Sequence, residues 1–235
     1  MSTYLAIDTA TEACSVALLV NGEIHERFEV VQREHTQKLL PMIQALMAES
    51  GKSFAQLDGI ACGVGPGSFA GVRIGVGVVK GLALARDLPV VGVSSLAMLA
   101  QRAMRLEKVA AVAAAIDARM NEIYFGAYRR SADGHPEAII AERVCAAGRA
   151  PRLDAGPWLA AGTGWAPYEA ALRSALGVLL EKIDSTALPH AEDALHLALP
   201  EFVAGRAIYS DALAPAYLRD NVALTLAEQA TLRAR

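Results

Sequence analysis

Two aspartates each follow a run of apolar, strand-forming residues and precede a short turn. Asp8 is followed by the hydroxyls of Thr9 and Thr11, and Asp117 follows the apolar run 109–116. Hydroxyls and turn amides can hold phosphate oxygens, and carboxylates hold Mg²⁺ directly or through water. The pattern therefore predicts a nucleotide-phosphate site. An aspartate that only ends a strand and caps its own turn would have the same residue types.

A glycine-rich segment, 65–68, precedes a predicted helix and is a second candidate for anion binding. Backbone amides at the start of a helix, together with the positive end of its dipole, favour phosphate. The segment reads Gly-Pro-Gly-Ser, so it lacks the lysine of a Walker A loop and the acidic residue of a dinucleotide fingerprint. It does not by itself predict a nucleotide class.

The helix after this segment is unusually rich in glycine. At about 0.8–1 kcal/mol each relative to alanine, Gly71, Gly75, Gly77 and Gly81 cost roughly 3–4 kcal/mol of helix stability, so a packing contact must offset them. Gly67, Gly71 and Gly75 share one face, because four residues advance about 400° around a helix. A smooth face lets another backbone approach closely, either from the same chain or from a partner subunit.

The spacing of the reactive residues does not support nucleophilic or metal catalysis. Ser68 has no nearby histidine, and no G-x-S-x-G motif occurs. The five histidines are scattered without ligand spacing such as H-E-x-x-H, and the three cysteines lie far apart without C-x-x-C. We assign no catalytic residue and no metal ligand, and we expect the cysteines to be buried free thiols.

Composition predicts a folded protein of a reducing compartment. The 235 residues are 54% hydrophobic with a mean hydropathy of +0.30, which excludes a disulfide mini-protein and a disordered chain. The net charge of −3 provides no global field to attract nucleic acid. An N-terminus without a basic region, and no run of about 20 uninterrupted apolar residues, predict a cytoplasmic protein without a membrane span.

An internal repeat relates the two aspartate segments. Residues 5–8 and 114–117 align without gaps at an offset of 109, and each block is followed by a turn and an antiparallel return strand. We therefore predict two related α/β lobes, with residues 1–106 forming the N-terminal lobe and residues 107–235 the C-terminal lobe.

Hydrophobic periodicity and turn signals predict the elements that position these residues. Asn21-Gly22 between two strand-like runs predicts a hairpin. The predicted strands are 4–7, 14–20, 23–30, 59–62, 89–93, 109–116, 123–128 and 138–144. The predicted helices are one around 39–47 that ends at a Gly51 cap, one of about 18 residues reaching Arg86, and 95–105, 168–176 and 192–202. The second of these helices also has an apolar row suited to the core, formed by Ile74, Val78, Leu82 and Ala85.

Several segments together resemble the TsaB (YeaZ) family, which is needed for threonylcarbamoyladenosine in tRNA. The segments are 7–17, 33–37, 65–69, 71–75, 116–119, 162–165 and 217–219, and the match spans residue 5 to about residue 222. The resemblance implies the α/β actin/hexokinase-like (ASKHA) fold, with two ribonuclease-H-like lobes that each contain a mixed sheet flanked by helices. This expectation agrees with the internal repeat.

In that superfamily the turn after the first strand of each lobe holds phosphate, and a glycine turn holds adenosine. The resemblance carries these roles to Asp8, Thr9, Thr11, Asp117, Gly162, Thr163 and Gly164. Active members often have glycine where Ala10 stands, and bulky Arg119 and Met120 occupy the second turn. The resemblance therefore implies a vestigial site, no cofactor of the chain's own, and ATP or ADP only at a subunit interface.

A second departure concerns a metal site of the related enzyme TsaD. TsaD carries an H-x-x-x-H pair at positions where this chain has Ser95 and Leu99, and leucine cannot ligate a metal. The resemblance implies a non-catalytic partner and activator of TsaD, which transfers threonylcarbamoyl to the adenosine next to the anticodon. The ATPase TsaE would join the complex, tRNA would be met only through the complex, and the chain alone could form a homodimer.

The resemblance places the partner interface in the N-terminal lobe, on the glycine-rich helix and the helix before it. The residues expected there are His35, Leu39, Gly67, Gly71, Arg73, Ile74, Gly75 and Val78. The alternative is an enzyme in its own right. Asp8 and Asp117 would favour an independent ASKHA-type ATPase or kinase, and a glycoprotease-like peptidase is the other version.

Overall fold

The chain forms two five-stranded mixed sheets with helices between and outside them. The computed structural model describes residues 2–219. The strands are β1 (Tyr4–Asp8), β2 (Ala13–Val20), β3 (Glu23–Val30), β4 (Gly59–Gly65), β5 (Val90–Ser94), β6 (Ala111–Arg119), β7 (Glu122–Arg130), β8 (Pro136–Ala146), β9 (Trp158–Ala161) and β10 (Leu180–Asp184). The helices are α1 (His35–Glu49), α2 (Phe69–Leu84), α3 (Ser95–Glu107), α4 (Trp165–Leu176) and α5 (Ala191–Val203).

The two sheets have the same topology, which confirms the predicted pair of related lobes and the ASKHA fold. Their strand orders are β3-β2-β1-β4-β5 and, read in the matching direction, β8-β7-β6-β9-β10. In each sheet the central strand pairs antiparallel with the next strand and parallel with a later one. The first hairpin turns at Asn21 and Gly22, which both have positive φ, as this pair of residues predicts.

Sequence reasoning misses two strands of the second sheet and one helix start. Strands β9 and β10 contain four and five residues, too few for a periodic pattern to distinguish a strand from a buried loop. Helix α4 begins at Trp165 rather than at Tyr168. The buried Trp165 indole donates to the carbonyl oxygen of Ala113 (3.2 Å), which fixes the first turn of this helix against the sheet.

The strands and helices stack in five layers. Helices α1 and α2 cover the outer face of the first sheet, and α4 covers the outer face of the second sheet. Alternation along β1 sends Leu5 and Ile7 to the outer core and Ala6 to the central layer, because successive side chains of a strand point to opposite faces. The central layer consists of α3 and α5, which lie between the sheets.

The two halves of the sequence exchange these central helices. Helix α3 follows the first sheet in sequence, yet Leu96 and Leu99 pack with Val112 of the second sheet. Helix α5 follows the second sheet, yet Ala194 and Leu195 pack on the first. Each half therefore completes the core of the other.

Small side chains let α5 lie close to the first sheet. Ala6 stands in register with Ala17 on one neighbouring strand and with Ala61 on the other, and all three are fully buried. A row of methyl groups presents a shallow surface, so helix and sheet reach van der Waals contact along the whole row.

The chain after α5 returns to the first lobe. Ile208 forms a bridge with Val90, Leu213 joins the outer core, and the amide of Ala216 donates to the carbonyl oxygen of Val64 (2.8 Å). The division at residue 106 thus marks the end of the first sequence repeat, whereas the space around the first sheet is completed by α5 and the following segment. Residues 220–235 of the predicted second lobe lie outside the described residues.

Within residues 2–219, no helix combines the length and apolar character needed to cross a bilayer.

Two polar side chains of the first sheet cap α5. Ser15 Oγ accepts from the amide of Ala191 (2.9 Å), and Glu26 Oε1 accepts from the amide of Glu192 (3.0 Å) and from Ser15 Oγ (2.9 Å). The other oxygen of Glu26 lies 2.8 Å from His190 Nδ1. Burial alone would raise the pKa of Glu26, but the bonds from His190, from this amide and from Ser15 outweigh burial and lower it. The carboxylate therefore stays charged at the positive end of the helix.

Replacing Glu26 by glutamine should lower the free energy of unfolding at pH 7 by about 1.5–3 kcal/mol, the usual range for hydrogen bonds to a charged acceptor. Because the folded pKa lies below the unfolded one, this contribution is present at neutral pH and is lost as the pH falls below about 4. Urea unfolding at pH 7 and pH 3.5 measures it. The control is Glu23→Gln, whose side chain on the same strand is 81% exposed. Equal penalties at both pH values would contradict a charge-based cap.

Candidate functional site

The turn between β1 and β2 is closed by the chain's own backbone. Thr9 Oγ1 donates to the carbonyl oxygen of Gly71 (2.7 Å), and the amide of Ser68 donates to the carbonyl oxygen of Ala10 (2.6 Å). Thr11 Oγ1 accepts from the amide of Ala13 (3.3 Å). Asp8, Thr9 and Thr11 are all buried. Of the hydroxyls predicted to hold phosphate, that of Thr9 thus holds the turn against the start of α2, and that of Thr11 bonds within the turn.

The glycines at the start of α2 make this closure sterically feasible. A Cβ on Gly71 would overlap the carbonyl oxygen of Thr9, and a Cβ on Gly67 would overlap that of Ala10. On Gly75 it would lie 2.7 Å from Thr9 Oγ1. The close backbone approach predicted from the glycine spacing therefore occurs within the chain, and its partner is a turn rather than a helix or another subunit.

Asp8 is buried and only half satisfied. Its Oδ1 accepts from the amide of Ala10 (3.3 Å), while its Oδ2 has no partner among the described residues and lies against Gly63. Burial raises the pKa of Asp8 to about 7, against a smaller lowering by the Ala10 amide. At neutral pH part of the Asp8 population therefore keeps a proton, which a cation such as Mg²⁺ would have to displace.

The second turn keeps its predicted residues together but uses them internally. The amide of Asp117 donates to Thr163 Oγ1 (3.3 Å), so the aspartate and the glycine turn meet. Gly162 and Gly164 lie against the backbone of Ala115, where a Cβ on Gly162 would overlap its carbonyl oxygen. Asp117 Oδ1 accepts from the amide of Arg119 (2.9 Å), and Oδ2 lies 3.4 Å from the Arg119 guanidinium.

Two cavities of the described region lie away from Asp8 and Asp117. A cavity of about 60 Å³ lies behind the Gly162 turn and is lined by Leu99, Leu159 and Asp184 among others. A shallow depression of about 560 Å³ lies around Pro157 and Leu179, at the far end of the second lobe. Ligand pockets for molecules of nucleotide size enclose roughly 300–1,000 Å³. Neither of these two spaces is lined by Asp8 or Asp117.

The positions of the TsaD metal pair are also apolar or buried. Ser95 is fully buried, and its Oγ has no hydrogen-bond partner among the described residues. Leu99 is buried and contacts the Gly162 turn, where a Cβ on Gly162 would lie 2.9 Å from Leu99 Cδ1. Residues 2–219 contain no group of three or more histidine, cysteine or carboxylate side chains placed to share a metal ion.

The predicted partner-interface residues divide into buried and exposed sets. His35 is buried and its Nε2 lies 2.9 Å from the carbonyl oxygen of Thr11, and Leu39 belongs to the outer core. Gly71 and Gly75 are buried as well. These four residues are therefore buried within the chain and pack around the first turn, and their predicted place at a partner interface stays a prediction. Arg73 is exposed, and Ile74 and Val78 are half-buried at the edge of the core.

Sequence reasoning missed the glycines that do face outward. Phe69, Arg73, Gly77 and Gly81 are spaced four apart and lie with Leu84 on the exposed side of α2, which we call the outer face of α2. A Cβ on Gly77 or Gly81 would have no atom within 4 Å. Phe69 and Leu84 are 64% and 72% exposed. The sequence contained one signal for this orientation: Gly77 and Gly81 follow Arg73 at intervals of four residues, and an arginine usually lies on the solvent side of a helix.

Alanine substitutions distinguish the two glycine faces. Gly71→Ala should destabilise the protein by about 1–3 kcal/mol, because the Thr9 backbone must move to admit the methyl group. Gly77→Ala should instead stabilise it by about 0.8–1 kcal/mol through helix propensity, since nothing opposes the new methyl group. Urea unfolding of both variants measures the effects. Equal changes of the same sign would disprove the packing of the first turn on α2.

The buried acid makes a pH-dependent prediction. Because the folded pKa of Asp8 is about 7 and the unfolded value is ordinary, the folded state keeps a proton that the unfolded state releases. Wild-type stability should therefore fall as the pH rises from about 4 to 7 and then level off. Asp8→Asn, which cannot ionise, should gain about 2 kcal/mol relative to wild type between pH 5 and pH 8 in chemical unfolding. The exposed Asp133→Asn is the control, and a pH-independent difference for Asp8→Asn would refute the assignment.

Comparison with known proteins identifies the family. A family model described as "TsaD: tRNA N6-adenosine threonylcarbamoyltransferase" matches residues 21–226. The tRNA threonylcarbamoyladenosine biosynthesis proteins TsaB of Escherichia coli and Haemophilus influenzae are 44% and 42% identical to the chain. These alignments cover 93% and 94% of this chain and 95% and 94% of the two relatives.

Solved structures agree with this result. The structure described as YeaZ from Pseudomonas aeruginosa is 46% identical and superposes with a TM-score of 0.87, covering 93% of this chain and all of its own. A second structure from that organism, described as having similarity to peptidase YEAZ, has a TM-score of 0.88 with the same identity and coverage. The chain therefore belongs to the TsaB (YeaZ) family.

Proposed function

We propose that this protein is a non-catalytic partner and activator of TsaD in the formation of N6-threonylcarbamoyladenosine in tRNA. The observation that carries the proposal is the contrast between a closed first turn and an open outer face of α2. The residues of the first turn are engaged in contacts within the chain. The outer face of α2 keeps its apolar side chains exposed and can bind another protein. The names of the TsaB relatives supply the pathway.

The electrostatics of the site favour a role without independent chemistry. Burial raises the pKa of Asp8 to about 7. The two carboxylate oxygens of Asp117 contact the backbone amide and the guanidinium of Arg119. Leu99 stands where TsaD would have a metal-binding histidine and packs on the glycine turn instead. Phosphate and metal chemistry would then belong to TsaD, with ATP or ADP bound only at a subunit interface.

The outer face of α2 has the composition of a protein contact. Its exposed Phe69 and Leu84 flank the bare backbone at Gly77 and Gly81, so a partner helix can approach closely. Helix α2 contains Arg73 and Lys80 and no carboxylate. A partner face with small apolar residues and carboxylates would be complementary to it.

The remaining features of the proposed assembly follow from this role. TsaE would join the complex of this chain with TsaD, and the chain alone could pair with a second copy. The net charge of −3 leaves the tRNA contact to the complex, and the work would take place in the cytoplasm, where tRNA is modified.

For the peptidase alternative, the structure offers a serine, a glutamate and a histidine that lie close together but are not arranged for catalysis. Ser15, Glu26 and His190 lie together, but Ser15 Oγ donates to Glu26 rather than to the histidine and is fully buried. A nucleophile needs a base within reach and access to substrate. These residues cap α5 instead, and no observation favours an independent ATPase.

Reconstituted tRNA threonylcarbamoylation tests the proposal. Omitting this chain from a mixture of TsaD, TsaE, tRNA, ATP and threonylcarbamoyl-adenylate as the donor should reduce product formation at least tenfold, and undiminished modification would refute the role. Gly77→Leu should weaken TsaD binding at least tenfold by filling the bare face, an effect of about 1.4 kcal/mol or more. Gly148→Leu is the matched control, since this glycine is exposed in the second lobe with no atom within 4 Å of its Cβ position.

The purified chain alone should show no ATP turnover. ATP hydrolysis by the wild type that disappears in Asp8→Ala would instead establish the independent ATPase.

A further inference from the structure

The segment after α5 builds a surface that spans both lobes and that the proposed function has not yet used. This segment, residues 213–219, begins in the outer core at Leu213 and is held on β4 by the Ala216 amide. It ends at Arg219 on the turn between β6 and β7. A short stretch of chain thus connects the N-terminal end of α2 with the second lobe.

Arg219 attaches this segment to the second lobe. Its Nη2 donates to the carbonyl oxygen of Ala118 (3.0 Å) and to Glu122 Oε2 (2.7 Å), and its Nη1 lies 3.3 Å from Met120 Sδ. The Arg219 side chain is 18% exposed, so the pair with Glu122 is shielded from solvent more than an ordinary surface pair. Arg219 therefore fixes the position of the residues immediately before it.

Those residues include Tyr217, which lies over α2. The Arg73 guanidinium stands 3.2 Å from the ring centroid of Phe69 and 5.0 Å from that of Tyr217. Phe69 and Tyr217 remain 64% and 56% exposed, and Met120, held beside Arg219, is 79% exposed. Together Phe69, Arg73, Tyr217 and Met120 form what we call the composite patch.

The composition of this patch favours a protein partner. Exposed aromatic residues, arginine and methionine in one cluster are enriched at protein interfaces and dominate their binding energy. An RNA surface would need several free cations, yet Arg119 and Arg219 are paired with Asp117 and Glu122. Among the described residues Arg73 forms no ion pair, and its guanidinium donates to the carbonyl oxygen of Phe69.

The charge of the patch also disfavours a second copy of this chain. In a two-fold symmetric contact the same surface meets itself, so both contacting helices would carry Arg73 and Lys80. Because α2 contains no carboxylate, neither helix would offer a countercharge to Arg73 of the other copy. A different chain that presents a carboxylate to Arg73 supplies that countercharge.

We propose that the composite patch of Phe69, Arg73, Tyr217 and Met120 extends the TsaD-binding surface from α2 onto the second lobe, with Arg219 as its positioning residue. This inference rests on the proposed function. TsaD would bury the Arg73 stack and place a carboxylate on its guanidinium. Both lobes would then contact the same partner and be held in one relative position.

Binding of purified TsaD to variants of the full chain tests the inference. Tyr217→Ala and Arg73→Glu should each weaken binding about tenfold or more, as expected for interface hot spots. Tyr209→Ala is the matched control for the tyrosine, because Tyr209 is 73% exposed in the same part of the chain and does not belong to the composite patch. It should change the dissociation constant less than twofold.

Arg219 requires a control for simple loss of an ion pair. Arg219→Ala should weaken TsaD binding about tenfold and raise amide hydrogen exchange in residues 213–219. Arg206→Ala removes a two-pronged pair with Glu201 that stays within the first lobe, and it should change neither reading. Unchanged TsaD binding by Arg219→Ala, despite faster exchange, would remove its positioning role.

The outcomes separate this inference from the proposed function. Normal binding by Tyr217→Ala with loss of binding by Gly77→Leu would overturn the composite patch and keep the α2 surface. Normal binding by every variant would contradict both. Loss of self-association in sedimentation by Tyr217→Ala, with TsaD binding intact, would assign the patch to a second copy. Loss of tRNA binding by a Tyr217→Ala complex that still contains TsaD would assign the composite patch to RNA. Assignment of the patch to a second copy or to RNA would refute the inference.

Discussion

The carbonyl oxygens of Thr9 and Ala10 lie where a side chain at Gly71 in α2 or at Gly67 just before it would stand. This approach of backbone to backbone determines the position of α2, the closure of the first turn and the direction in which the rest of the helix faces. His35 adds a contact to the carbonyl oxygen of Thr11 from the other side, so α1 and α2 hold the turn between them. Helix stability given up at Gly71 and Gly75 is offset by this packing.

The same contact affects both the first turn and the outer face of α2. Once the hydroxyl of Thr9 donates to α2, it is no longer free for phosphate, and Asp8 behind it is left buried with an unpartnered oxygen. Because the inner face of α2 is fixed by this packing, the helix keeps its position even though Gly77 and Gly81 make no side-chain contacts on the outer face. Gly77 and Gly81 are therefore tolerated there and remain available to another chain.

Much of this arrangement could be predicted from the sequence, and the features that could not be predicted share a physical cause. Local signals located the first hairpin, most helices and the internal repeat, because turn residues and apolar spacing act over a few residues. The same spacing shows which residues share a helix face but not what covers that face. Gly71 and Gly77 thus look alike in sequence and have opposite roles in the structure. The burial of His35 could not be read from the sequence for the same reason, since it depends on a turn 24 residues away.

The exchange of central helices has a consequence for the order in which the chain folds during synthesis. The first sheet is translated long before α5, and the bond that caps this helix joins residues 176 positions apart. Until α5 has been synthesised, the alanine row on the inner face of that sheet is not covered by this helix. Helix α3 likewise lacks its main packing surface until the strands of the second half have been synthesised. Contacts so distant in sequence form late and slowly, and the uncovered apolar faces are open to misassembly meanwhile. The nascent protein therefore cannot finish one lobe before the other, and both cores must close together near the end of translation.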